Sequence, residues 1–82
     1  MRVDDYLSTV GVIKRRTVAK ELGQSGLLEI NGQKVKPAHP VRPGDIIRVK
    51  GTRALTVEVL AIPGGSIPKD QRDRYFRTIT SE

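Results

Sequence analysis

Three consecutive cations, Lys14, Arg15 and Arg16, with Lys20 one helical turn further on, are the residues of this sequence whose types and spacing could do chemistry. That chemistry is electrostatic. Arginine offers a planar, bidentate fork and lysine a flexible point charge, and both suit phosphate oxygens. No acid interrupts the run between Lys14 and Lys20. The run leads into a short helical pattern, and backbone N–H groups at a helix start are unpaired and carry the positive end of the dipole. Cations placed there reinforce a field that already favours an anion. Arg2 near the start of the chain, and Lys34 and Lys36 after a turn, complete a set of seven cations.

Other chemistries are poorly supplied. His39 stands between Ala38 and Pro40 in a proline-rich stretch without a partner near in sequence, so it reads as a loop or phosphate-contact residue rather than an acid–base catalyst. Asp4 and Asp5 are neighbours that diverge around a helix, and their position suits stabilisation of a helix start. Gly64-Gly65 lacks the strand, spacing and lysine of a nucleotide-binding loop and reads as a bend. With no cysteine and one histidine, neither a thiolate zinc site nor a histidine cluster is possible. The chain is therefore expected to have no catalytic residues, metal or cofactor, and not to be an enzyme.

The elements that must position the cations can be read in order. Val3, Tyr6, Leu7 and Val10 recur with helical spacing, which predicts a two-turn amphipathic helix closed by Gly11. Arg2 precedes it and is not needed for its apolar face. A second helix is expected to start near Arg16 or Thr17, with Thr17 as N-cap, Val18 and Leu22 as its buried stripe beside Ala19, and Gly23 or Gly26 as its stop. After Gly26 the period changes to two. Leu28 and Ile30 precede Asn31-Gly32, whose residue types suit a type I′ hairpin, and the strand returns over residues 33–36. Residues 37–45 read as loop with a tight turn at Pro43-Gly44-Asp45. Ile46, Ile47 and Val49 mark a third strand, and Leu55, Val57, Val59 and Ala61 a fourth, with residues 50–54 between them. Pro68 should open a helical turn from which Tyr75 or Phe76 packs back, and the chain is expected to fray beyond Phe76. The resulting expectation is α+β, a two-helix hairpin packed on a small, mainly antiparallel twisted sheet, with a domain at residues 1–62 and a C-terminal extension at residues 63–82.

The totals agree with a binding module. Eighty-two residues form one domain, too small to enclose a deep pocket. Fifteen Lys and Arg against nine Asp and Glu leave a net charge of +6 and a pI near 10.2, which implies an acidic partner such as nucleic acid. Residues 1–50 carry ten cations and five anions, so a polyanion should meet that part of the chain. Only Tyr6, Tyr75 and Phe76 are aromatic, and none lies in the basic run. Stacking of splayed bases is thus disfavoured against recognition of structured RNA by shape and phosphate. The opening MRVDDYLS has charges where a signal peptide needs an apolar run, and no stretch of 18 apolar residues occurs. A cytoplasmic protein with no membrane association is expected.

The segments MRVDDYLS, KRRTVAKEL, LEINGQKVK and VRPGDIIRV, in this order and spacing, resemble the alpha-L RNA-binding motif known from small-subunit ribosomal protein S-four. The resemblance continues to Phe76 with the stand-alone branch of that family, which includes ribosome-associated quality control protein P (RqcP) and the fifteen-kilodalton heat-shock RNA-binding protein. It implies a non-catalytic RNA-binding protein that meets 23S rRNA and peptidyl-tRNA on an obstructed large ribosomal subunit. It further implies a part in C-terminal alanine tailing with an RqcH-type tailing factor, as a monomer. The family's RNA-contacting positions fall on Arg2, Lys14, Arg15, Arg16, Lys20, Asn31, Lys34 and Lys36. Two positions depart from the family pattern by lowering positive charge, Asp5 where lysine is common and Leu27 where a basic residue is common. A general ribosome-assembly or tRNA-handling factor, and a basic module for an acidic protein, are the alternative readings.

Overall fold

The computed structural model describes residues 1–51 and 54–81. Helices α1 (Val3–Thr9) and α2 (Arg16–Gln24) precede five strands: β1 (Leu28–Ile30), β2 (Gln33–Lys34), β3 (Ile46–Val49), β4 (Leu55–Val59) and β5 (Phe76–Ser81). The strands form one sheet in the order β2-β1-β3-β4-β5, antiparallel at every pairing. The α+β architecture read from the sequence is the one observed.

Side-chain alternation divides the sheet into an inner and an outer face. Ile30, Ile47 and Val57 lie in register across β1, β3 and β4, and Leu28, Val49 and Leu55 form the next row. Val3, Tyr6, Leu7 and Val10 of α1 close over them and are all fully buried. Each such burial contributes about 1.5 to 3 kcal/mol, so α1 is fixed to the sheet by its apolar stripe. The Tyr6 hydroxyl adds a polar tie, donating to the Tyr75 carbonyl at 2.6 Å, and burial pushes its pKa up.

α2 is held differently from the expectation. Val18 is 42% exposed, and the buried face is Ala19 and Gly23, with Leu22 half-buried. A Cβ on Gly23 would lie 2.7 Å from Cγ of Pro37, so glycine here permits the helix and the proline loop to touch. Thr17 is not the N-cap; Arg15 occupies that position and no side chain caps the helix. The stop falls at Gly26, whose φ of +75° favours glycine, while Gly23 stays inside the helix.

The hairpin turn has positive φ at both Asn31 and Gly32, as a type I′ turn demands. β2 ends at Lys34, two residues earlier than expected, although the Val35 amide still donates to the Leu28 carbonyl in the same register and its side chain packs against the core. Residues 37–45 then pass under the start of α1. Val3 donates to the His39 carbonyl at 2.8 Å, Asp4 to the Pro37 carbonyl at 3.3 Å, and Val41 to the Met1 carbonyl at 3.0 Å. In the following tight turn Gly44 has φ +93°, and the Arg42 amide donates to the Asp45 carboxylate. Residues 52 and 53, in the expected connection between β3 and β4, lie outside the described residues.

The expectation of fraying beyond Phe76 is corrected by β5, which pairs with β4 from Val59 opposite Phe76 to Leu55 opposite Ser81. A register shift between Thr56 and Val57 accommodates one extra residue on β5. A 3-10 helix, Lys69–Arg74, follows Pro68 and delivers the chain to this strand. Residues 76–81 thus complete the sheet.

Candidate phosphate-binding surface

α1 brings Asp4 to a position where its carboxylate is fully buried, and the charge is answered at once. The Arg2 guanidinium donates to both Asp4 oxygens, at 3.1 and 2.9 Å. Arg16 reaches over from the first residue of α2 to Asp5 at 2.9 Å and to Asp4 at 3.8 Å. Two aspartates that were expected to diverge around α1 thus converge on one arginine. Arg2, which the apolar face of α1 does not need, is half of this clamp. Its side chain remains 42% exposed and that of Arg16 55% exposed, so each guanidinium keeps donors for solvent or a ligand. Asp5, which lowers charge at the edge of the cluster, also orients Arg16.

Around this clamp the remaining cations are free. Arg15, Lys20, Lys34 and Lys36 are exposed and form no ion pair among the described residues. Arg2, Lys20 and Lys36 border one open hollow of about 390 Å³, floored by Gly23, Pro37 and Ala38. The contact between Gly23 and Pro37 is what brings α2 and the lysine of the hairpin to the same hollow. At the start of α2 the Val18 and Ala19 amides bond to the Arg15 carbonyl, while those of Arg16 and Thr17 have no partner among the described residues. Unpaired amides beside unpaired cations suit a phosphate oxygen. The start of α1 is not available in this way, since His39 and Pro37 carbonyls occupy it.

Two of the expected site residues lie elsewhere. Asn31 donates through its side-chain nitrogen to Asp45 at 3.1 Å and accepts from the Ile46 amide at 3.0 Å, which locks the hairpin turn onto β3. It borders a separate hollow together with His39 and Arg42. Lys14 turns away to a hollow it shares with Lys69 and Arg72, two cations that sequence reasoning did not include. The signal for them was present in the spacing of PKDQRDRYF, but nothing in the sequence said that this segment returns to α1.

The outer face of the sheet is also charged, and two of its cations are paired. Glu29 lies opposite Lys34 on one side and Arg48 on the other, and it pairs with Lys50. The hydrogen bond from Lys50 holds the Glu29 carboxyl below the ordinary glutamate range, against a smaller desolvation in the other direction. Glu58 pairs with Arg77 across β4 and β5. Among the described residues, no group of three or more His, Cys, Asp or Glu side chains gathers as it would around a metal. No described helix is long and apolar enough to cross a membrane.

Comparison with known proteins meets this geometry from outside. The S4 domain matches residues 1–47, which span both helices, the hairpin and the start of β3. The RQC P-site tRNA stabilizing factor of Bacillus subtilis is 43% identical over 60 residues, covering 72% of this chain and 70% of the relative. The protein of the same name from Listeria innocua is 40% identical over 83 residues, covering all of this chain and 89% of the relative. Among solved structures, the trimeric heat shock protein 15 of Vibrio cholerae superposes with a TM-score of 0.85 at 24% identity, over 96% of this chain and 81% of that one. That likeness extends the shared fold through β5. The chain belongs to the S4 domain family, among the relatives called RQC P-site tRNA stabilizing factors.

Proposed function

We propose that this chain is a non-catalytic RNA-binding protein of ribosome-associated quality control. It binds 23S rRNA and peptidyl-tRNA on an obstructed large ribosomal subunit, as a cytoplasmic monomer, and assists C-terminal alanine tailing of the stalled nascent chain by an RqcH-type factor. Residues 1–62 form the RNA-binding domain, and Arg2, Arg15, Arg16, Lys20, Lys34 and Lys36 meet phosphates there. The observation that carries this reading is the start of α2. A buried aspartate orients two arginines whose outer faces stay exposed, beside cations and amides that have no partner among the described residues. The names of the relatives supply the RNA and the setting: P-site tRNA and quality control.

Cosedimentation with large subunits tests it. The wild-type chain should travel with subunits that retain peptidyl-tRNA, and Arg16→Glu and Lys20→Glu should each stay at the top of the gradient. Lys20 is exposed and makes no ion pair among the described residues, so its reversal leaves the fold intact and isolates the effect on binding. Six to seven phosphate contacts should weaken association roughly 10³-fold or more between about 50 and 200 mM salt. Association that is indifferent to both reversals would overturn the reading.

A further inference from the structure

The Arg72 guanidinium lies against α1 at Gly11. A Cβ built on Gly11 would meet its Cζ at 2.5 Å, Nη1 at 2.6 Å and Nε at 2.7 Å, so the cation covers the glycine face-on. Gly11 has φ +84° and follows the last turn of α1, where a positive group complements the helix dipole. Complementing the dipole does not satisfy the arginine. Its Nε is buried without a hydrogen-bond partner, and neither Arg72, Lys69 nor Lys14 forms an ion pair among the described residues. The three border one hollow of about 400 Å³ with Ser8 and Gly11, and no carboxylate among the described residues lines it. The acids of the same 3-10 helix, Asp70 and Asp73, lie on the other side of Lys69 and Arg72, in a neighbouring hollow that these two cations also border, and neither acid forms an ion pair with them. A buried donor without a partner, beside two unpaired ammonium groups, is a gap in the protein's own hydrogen bonding that an anion can fill.

We infer that Lys14, Lys69 and Arg72 form a second phosphate site, which takes a backbone phosphodiester of the bound RNA at the far end of α1 from the Arg2–Lys20–Lys36 hollow. This inference rests on the RNA-binding reading above for the source of the phosphate. Arg2 and Gly11 are nine residues apart along α1 and its cap, about 13 Å at the helical rise, so one phosphate cannot serve both sites. The chain would grip two separate phosphates along its first helix, with the C-terminal segment supplying two of the three cations of the second grip.

The test has two arms. In the first, the ¹⁵N-labelled full chain is titrated with inorganic phosphate, with sodium chloride at matched ionic strength as control. The Gly11 amide and the Arg72 Nε–H should shift saturably with phosphate alone, and Lys14→Gln/Lys69→Gln should weaken that response by about tenfold or more. No saturable shift at Arg72, or an equal one in the double variant, would overturn the site. In the second arm, association with large ribosomal subunits is followed against salt. The double variant should lose about 0.7 to 0.9 of logarithmic salt slope for each phosphate contact removed. An unchanged slope, while Lys20→Glu still abolishes association, would show that RNA does not occupy the site and would also overturn the inference. If the wild-type chain binds no RNA, the proposed function fails by itself, and the phosphate titration still decides whether an anion site exists.

Discussion

The outer face of the sheet and the start of α2 carry similar side chains and treat them in opposite ways. On the sheet, Lys50 pairs with Glu29 and Arg77 with Glu58. At the start of α2, Arg2 and Arg16 share one buried carboxylate, and Arg15 and Lys20 have none among the described residues. Exposed pairs of the first kind contribute little to stability and leave almost no field for a distant ligand. The second arrangement concentrates unneutralised charge while fixing the direction of two guanidinium groups. The difference teaches that total charge is a weak guide to the interface; what matters is which cations the fold leaves unpaired.

That contrast can be broken from the side of Asp4. Replacing Asp4 by Ala removes three hydrogen bonds, two from Arg2 and one from the Asp5 amide, in a buried setting. Urea unfolding should show a loss of about 2 to 4 kcal/mol, together with weaker RNA association because Arg2 and Arg16 lose their common anchor. Gly23→Ala should come next. Its Cβ would press on Pro37, and overpacking of this kind costs about 1 to 3 kcal/mol and widens the hollow that holds Lys20 and Lys36.

Tyr6→Phe should cost less, about 1 kcal/mol in thermal unfolding, because the Tyr75 carbonyl keeps donors from the Leu60 and Ala61 amides. Smallest of all should be Glu58→Gln, within about 1 kcal/mol and with no change in RNA association, since Arg77 lies on the paired face. A pH series sharpens the same point. Glu29 has a folded pKa below its unfolded one, so its contribution is present above the ordinary glutamate range and is lost as pH falls through that range and below it. Acid should therefore loosen the pairing of β1 with β3 in wild type, and Glu29→Gln should flatten that part of the stability profile.

Much of this was legible because periodicity and turn chemistry are local. The apolar spacing of Val3, Tyr6, Leu7 and Val10 located α1, and Asn31-Gly32 located the hairpin. Where the outcome depended on a distant partner, local signals misled. Val18 and Leu22 have the right spacing for a buried stripe, yet the helix turns Ala19 and Gly23 inward, and Gly23 allows the close approach of Pro37. Phe76 and Thr78 lie opposite Val59 and Val57 as strand residues should, but an edge strand is stabilised by its neighbour, and the need of β4 for a second partner was invisible in the sequence of residues 76–81. For the site, the sequence located the cations but not their pairing. Nothing local indicated that Arg2 would hold Asp4, that Asn31 would be used within the hairpin, or that Lys14 would join Arg72.

The account's central claim is that the unpaired cations near α2 hold RNA of an obstructed large subunit. Crosslinking of the tagged chain in cells, followed by sequencing of the bound RNA, tests it most directly. The account predicts reads concentrated on 23S rRNA together with tRNA, and loss of both in Lys20→Glu. Reads scattered over unrelated transcripts, or an unchanged pattern in that variant, would contradict it.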